Sequence, residues 1–276
     1  MTQTVQHPID EGSSWTIAGV LGGTISWHLY LALAGLGFLG MLGLWWLLAT
    51  HGWVDPLFLP HPQAVARRAW QWLFQDDLLD DLSVSLYRVG AGFGLSVLMA
   101  LPLAVLTGRY QVVRALLEPL MEFARYLPAV ALVPLFLLWF GLGEASKIAI
   151  IWVGTFFQMV LLMSDSIRAV PRAQIEAAQT MGAAEWEVIA HVIVPAALPA
   201  LVDNLRVTLG WAWTYLVVAE LVAANTGLGY AILRAQRFLQ TDTIFVGVLL
   251  IGLLGLVSDQ LFRLLHRMAF PYLRCT

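Results

Sequence analysis

Few side chains in this 276-residue chain are equipped for covalent chemistry. Its six histidines stand at positions 7, 28, 51, 61, 191 and 266, scattered over termini and connections. No HExxH, GxSxG or GxxxxGKS/T spacing occurs, so metal-assisted hydrolysis, serine acyl transfer and nucleotide cradling lack a framework here. Lys147 is the only lysine and Cys275 the only cysteine, which excludes an intrachain disulfide and a cysteine cluster for zinc or iron–sulfur. No catalytic residue and no metal site is therefore assigned. The polar residues of interest lie instead inside apolar runs. Thr208, Trp211 and Tyr215 recur at spacings of three and four, which puts them on one helical face. Gln158 is a further uncharged donor, and hydroxyl, indole and amide groups can hydrogen-bond a passing solute without a fixed charge that would trap it. A pathway-lining stripe and an ordinary helix contact fit that face equally well. Glu220 interrupts an apolar run, and an intramembrane carboxylate is the usual mark of a proton relay. On that ground a secondary transporter driven by an ion gradient is the alternative reading, although Glu220 is near a span end and no inverted repeat is visible.

The elements that carry these residues follow from composition. Hydrophobic residues make up 59% of the chain and charged ones 12%, with a net charge of -3. That is far more apolar than a soluble domain, and it lacks the basic balance of a nucleic-acid binder. A bilayer crossing needs about 20 apolar residues of helix. Leu29–Ala49, Val89–Gly108, Tyr126–Gly143, Ile148–Ser164, Val207–Leu233 and a run from Thr243 past Asp259 supply them. None shows the polar face of a soluble amphipathic helix. The expected fold is an all-α integral membrane protein with about six transmembrane helices, the third and fourth forming a hairpin around Glu144 and Lys147.

Residues 1–28 form an N-terminal segment without the basic start of a removable signal peptide. The first transmembrane helix is placed at 29–49, an external loop with an amphipathic helix around Val65, Ala69, Trp70, Trp72 and Leu73 at 50–86, a core at 87–270 and a tail at 271–276. With the N-terminus inside, cytoplasmic segments hold Arg109, Arg114, Arg168, Arg172, Arg206, Arg263, Arg267 and Arg274. The outer segments hold Arg67, Arg68, Arg88, Lys147, Arg234 and Arg237, so the positive-inside rule favours both termini inside. Arg88 and Arg206, at span ends, are expected to snorkel to lipid headgroups. Gly90 and Gly94 form a GxxxG pair, expected to pack helices within the chain.

The connection Asp165–Arg206 is rich in Ala, Gln and Glu and reads as a helix over 173–190. Ala178 and Gly182 stand at i and i+4, a stripe with almost no side chain that allows a partner to approach, and Trp186 extends it as an anchor. Pro195 is expected to end this helix. Glu176-Ala177-Ala178, then Met181, Gly182 and Ala183, and later Val192-Ile193-Val194-Pro195, resemble the EAA motif of the membrane subunits of bacterial ABC importers. Ser83–Arg88, Leu138–Lys147 (LWFGLGEASK), Leu205-Arg206, Ala219-Glu220 and Gly227–Gly229 resemble permeases of the nitrate, sulfonate, taurine and bicarbonate importer family. Arg125–Val130 together with the WFGLGEASK run is closer to the sulfonate and taurine branch.

This resemblance implies a type I importer permease in the bacterial cytoplasmic membrane, with residues 173–190 as a cytoplasmic coupling helix. It further implies a homodimer with a second copy, two ABC ATPase subunits that bind ATP and magnesium, and an extracytoplasmic substrate-binding protein delivering a small polar solute. An anion such as a sulfonate, taurine or nitrate is the implied cargo. The chain itself is expected to be no enzyme and to hold no cofactor, with membrane lipid around it and no nucleic acid.

Overall fold

The computed structural model describes residues 27–76 and 78–274. Most of the N-terminal segment 1–28, Asp77 and Cys275 lie outside the described residues. The chain divides into two units, Met1–Pro56 and Leu57–Thr276. The first contains α1 (Trp27–Thr50), apolar on all sides as a lipid-facing span is. Its last turn is closed by the Thr50 hydroxyl donating to the Trp46 carbonyl at 2.8 Å.

In the second unit α2 (Pro62–Gln75) precedes α3 (Leu78–Arg109), α4 (Gln111–Arg125), α5 (Ala129–Phe140) and α6 (Glu144–Arg168). There follow α7 (Arg172–Thr180), α8 (Glu185–Val188), a π-turn (Ile189–Ile193), α9 (Val194–Ala223), α10 (Leu228–Arg237) and α11 (Thr241–Ala269). Among the described residues five helices are long and apolar enough to cross a bilayer, and α4 with α5 makes a sixth candidate bent by 98°. Five of the six expected spans are thus single helices, with two differences. The third, expected over Tyr126–Gly143, is instead the bent pair of α4 and α5, whose halves part at 126–128 because Pro128 disfavours helical backbone at Leu127. The fifth ends at Ala223 and not at Leu233, since Gly227 turns the chain with φ +114° and α10 starts anew.

Helix α6 is the centre of the unit, packed by α3, α4, α5 and α9. On α3, Gly92, Ser96, Ala100, Ala104 and Gly108 recur every fourth residue and form a flat ridge against it. Ser96, Ala100 and Ala104 are fully buried, and the Ser96 and Thr155 hydroxyls meet at 2.7 Å. A Cβ on Gly92 would stand 2.8 Å from the Ile151 Cβ, whereas one on Gly90 or Gly94 meets nothing within 4 Å. The expected GxxxG pair therefore does not make this contact; the ridge offset by two residues does. Small residues let membrane helices approach closely, and overfilling such a seam costs about 1–3 kcal/mol. Gly92→Val is expected to lower thermal stability in detergent by that amount, with Gly90→Val near wild type as its control.

Helix α2, expected to lie at the membrane interface, packs on the helices of its own unit. Val65 and Trp72 of α2 are buried, α2 packs on α11, and Arg68 donates to the Thr243 hydroxyl at 2.8 Å. Trp70 and Phe74 stay exposed on its other side.

Candidate functional site

Three arrangements in the second unit combine residues that could serve transport. The first is the segment 172–193 at the end of the bundle that also holds Arg109, Arg168 and the end of α11. Helix α7 stops at Thr180, and the next two amides fold back: Gly182 N–H donates to the Gln179 carbonyl at 2.9 Å and Ala183 N–H to the Ala178 carbonyl at 3.1 Å. This paired closure is the Schellman turn, and Gly182 sits at its left-handed position with φ +86°. Glu187 accepts from the Ala184 N–H at 2.7 Å and starts α8. The expected single helix over 173–190 is thus two helices around a glycine turn, so Ala178 and Gly182 do not share a helical stripe. Ala178 is buried against Ile167, Val170, Val188 and Ile193 of its own chain. What projects is Met181, 82% exposed, and Trp186, 64% exposed, with Glu176 and Ala177 beside them on the exposed side of α7.

Pro195 does not end the helix either. The π-turn before it, with Val194 N–H bonding the Ile189 carbonyl, adds the extra residue that relieves the clash a proline makes with the preceding turn. The helical backbone therefore continues without a break from the exposed turn into the span α9. Arg109 at the end of α3 grips Glu185 with two bonds of 2.6 and 3.0 Å, a link that spacing alone could not show. Gly182→Ala meets no steric obstacle within 4 Å, so its cost is purely conformational, about 1 kcal/mol. The expected result is a small loss of thermal stability with normal membrane insertion, read by differential scanning fluorimetry.

The second arrangement lies at the opposite end of the bundle. Arg88, 1% exposed, makes a two-pronged contact with Glu144 at 2.7 and 2.8 Å. It also donates to Glu220 and to the Thr226 carbonyl, each at 2.7 Å. Glu220, itself fully buried, accepts further bonds from the Ser85 hydroxyl at 2.8 Å and the Gly229 N–H at 2.7 Å. Lys147 completes the set on Glu144 at 2.8 Å, and Asp81 accepts from the Gly227 N–H at 2.7 Å. A Cβ at Gly227 would collide with the Glu220 carboxylate and the Arg88 guanidinium, so the turn must pass as glycine. Arg88 is therefore no snorkelling residue, and the Glu220 carboxylate ties its own helix α9 to α3 and α10. Within the cluster Arg88 and Lys147 offset Glu220 and the partly exposed Glu144.

The third arrangement is a cavity of about 280 Å3 between the α4–α5 break, α6 and α9. Gln158, Trp211 and Tyr215 line it together with Arg125, Phe157 and Thr214. Thr208 lies outside this lining: it is buried, and its hydroxyl donates to the Asn204 carbonyl of its own helix at 2.8 Å. The sequence reading missed Arg125 and Thr214. The signal for Arg125 was available, since it is the cation beside the break that Pro128 imposes.

Similarity to known proteins agrees with this geometry. Residues 92–269 match the family described as binding-protein-dependent transport system inner membrane component. A probable ABC transporter permease protein of Brucella melitensis is 39% identical over 86% of this chain and 95% of its own. The taurine transport system permease protein TauC of Escherichia coli is 35% identical over 84% of this chain and 86% of its own. Among solved structures, the MetNI methionine ABC transporter in inward facing conformations superposes with TM-score 0.56 at 21% identity, covering 66% of this chain and 93% of that one. The motif residues, the broken-span bundle and these relatives converge: the chain belongs to the binding-protein-dependent transport system inner membrane components, the permeases of ABC transporters.

Proposed function

We propose that this chain is the membrane-spanning subunit of an ATP-driven importer that takes up taurine or a related small sulfonate. The observation that carries the reading is the exposed step of Met181 and Trp186, held by the Gly182 turn and continuous through the π-turn with span α9. Continuous helix from a docking step into a span couples movement at the step to movement of that span. ATP and magnesium belong to a separate ATPase subunit, because this chain has no phosphate-cradling loop. Two ATPase copies seat on two copies of this chain, and an external binding protein supplies the solute and its selection. The relative TauC, a taurine permease by name, supports the sulfonate cargo.

The segment 172–193 faces the cytoplasm in this reading, together with the end of α11. The count of eight arginines on that side against six cations on the other supports that orientation. The rival ion-gradient transporter loses its support, because the carboxylate it needs, Glu220, is locked to Arg88. Co-expression with an ABC ATPase subunit from the same organism tests the reading. Recovery of a stable complex is expected; failure to recover any ATPase with the intact permease would contradict it.

A further inference from the structure

We propose that Arg125 is the residue through which the permease itself reads its cargo, an anion subsite half-way along the spans that takes the monoanionic sulfonate head of a small organic solute. This rests on the importer reading above and deepens it. Gln158, on the same cavity, lies roughly 20 Å of helix rise from Glu144 and roughly 15 Å from Arg168, hence near the middle of span α6. Residues 126–128 break the helix at that depth. Non-helical backbone there is tolerated only where it lines protein or a wet cavity.

Arg88, Arg109, Arg114, Arg168, Arg206 and Arg263 each pair with a carboxylate. For Arg125 no carboxylate stands within ion-pair distance among the described residues. Arg67, Arg172, Arg234, Arg237 and Arg267 also show no ion pair among the described residues, so Arg125, exposed on this chain, is set apart by its place on the cavity beside the helix break. Its guanidinium donates to the Tyr126 hydroxyl at 2.9 Å, approaches the Gln158 amide oxygen at 3.4 Å and lies 4.8 Å over the Tyr126 ring. These neutral contacts orient the fork and leave its charge and further donors unspent. Unpaired cations at membrane depth are costly and mark ion or substrate pathways, and a guanidinium fork matches two oxygens of an oxyanion.

The rest of the cavity states the class of solute. One cation with no second one facing it suits a monoanionic head and leaves a dianion such as phosphate half-compensated. About 280 Å3 is small for a ligand pocket, so the organic part must be short. Trp211, Tyr215 and Phe157 offer apolar faces to that part. The Tyr215 ring occupies the place where a side chain at Gly154 would stand, so Gly154 fixes the cavity wall without touching Arg125.

The test uses the complex with its ATPase and binding protein in proteoliposomes, with ethanesulfonate, taurine and inorganic phosphate as probes. Arg125→Gln is expected to lower ethanesulfonate uptake about ten- to a hundredfold, as loss of a charged hydrogen-bonding partner does. Arg125→Lys, which restores charge without the fork, is expected to recover part of it. Complex recovery, thermal stability and ethanesulfonate binding to the separate binding protein should stay at wild-type values, which a merely structural role would not predict for the first two. ATP-dependent uptake at the wild-type rate in Arg125→Gln overturns the subsite while leaving the importer reading intact. Phosphate uptake equal to that of ethanesulfonate overturns the monoanionic class, and no ATP-dependent uptake by the unaltered complex overturns both.

Discussion

Arg88→Ala is expected to destabilise the permease by about 3–5 kcal/mol, the usual consequence of leaving a buried charge without its partner. Glu220 would then face only the Ser85 hydroxyl and the Gly229 N–H, and Glu144 would keep only Lys147. The four attachment points of Arg88 join α3 to the start of α6, the end of α9 and the turn before α10. Their loss therefore loosens a whole end of the bundle and not one contact. Thermal unfolding in detergent, followed by tryptophan fluorescence, reads the effect. Glu220→Gln should cost less than Glu220→Ala, because the amide still accepts from Gly229. The double variant Arg88→Ala/Glu220→Ala is expected to lose clearly less than the sum of its singles, the signature of two residues acting on each other. Additive losses would contradict the direct pairing.

Trp186→Ala carries the second large effect, on assembly and not on folding. An aromatic side chain standing 64% exposed on this step contributes little to its own chain. As the anchor of a docking surface it is worth about 2–4 kcal/mol, or roughly thirty- to a thousandfold in ATPase affinity. Complex recovery at graded ATPase concentrations measures it, with permease stability unchanged. Ala178→Leu should show the reverse pattern, since Ala178 is buried beside Val188 and Ile193. It is expected to destabilise the permease before it touches the partner. Equal ATPase recovery by Trp186→Ala and wild type would move the docking surface elsewhere.

The span architecture was legible because lipid imposes it: charge-free runs long enough to cross have few other uses. The break in the third span was half-legible, since Pro128 stands at the start of the apolar run and disfavours helical backbone at Leu127. The segment 173–190 misled for a local reason. Ala, Gln and Glu favour helix on both sides of Gly182, and only the left-handed turn at that glycine, with its two backward hydrogen bonds, divides it. The α3 ridge was missed because glycine pairs were sought, whereas Ser96, Ala100 and Ala104 serve close approach as well. Arg88 and Glu220 could not be paired from sequence, being separated by 132 positions and brought together only by tertiary packing. Each looked like a different lone charge at a span end. Gln158, Trp211 and Tyr215 were chosen as hydrogen-bonding groups in apolar runs, and they do share a cavity with Arg125. Thr208, selected by the same spacing, turns its hydroxyl to its own helix.

Uptake of labelled taurine into proteoliposomes that contain this chain with its ATPase, the binding protein added outside, tests the importer assignment most directly. Accumulation is expected only with ATP at the ATPase side and the binding protein present, and it should survive an ionophore that collapses ion gradients. Uptake that proceeds without ATP and stops with the ionophore would contradict the assignment and return the chain to the class of gradient-driven transporters.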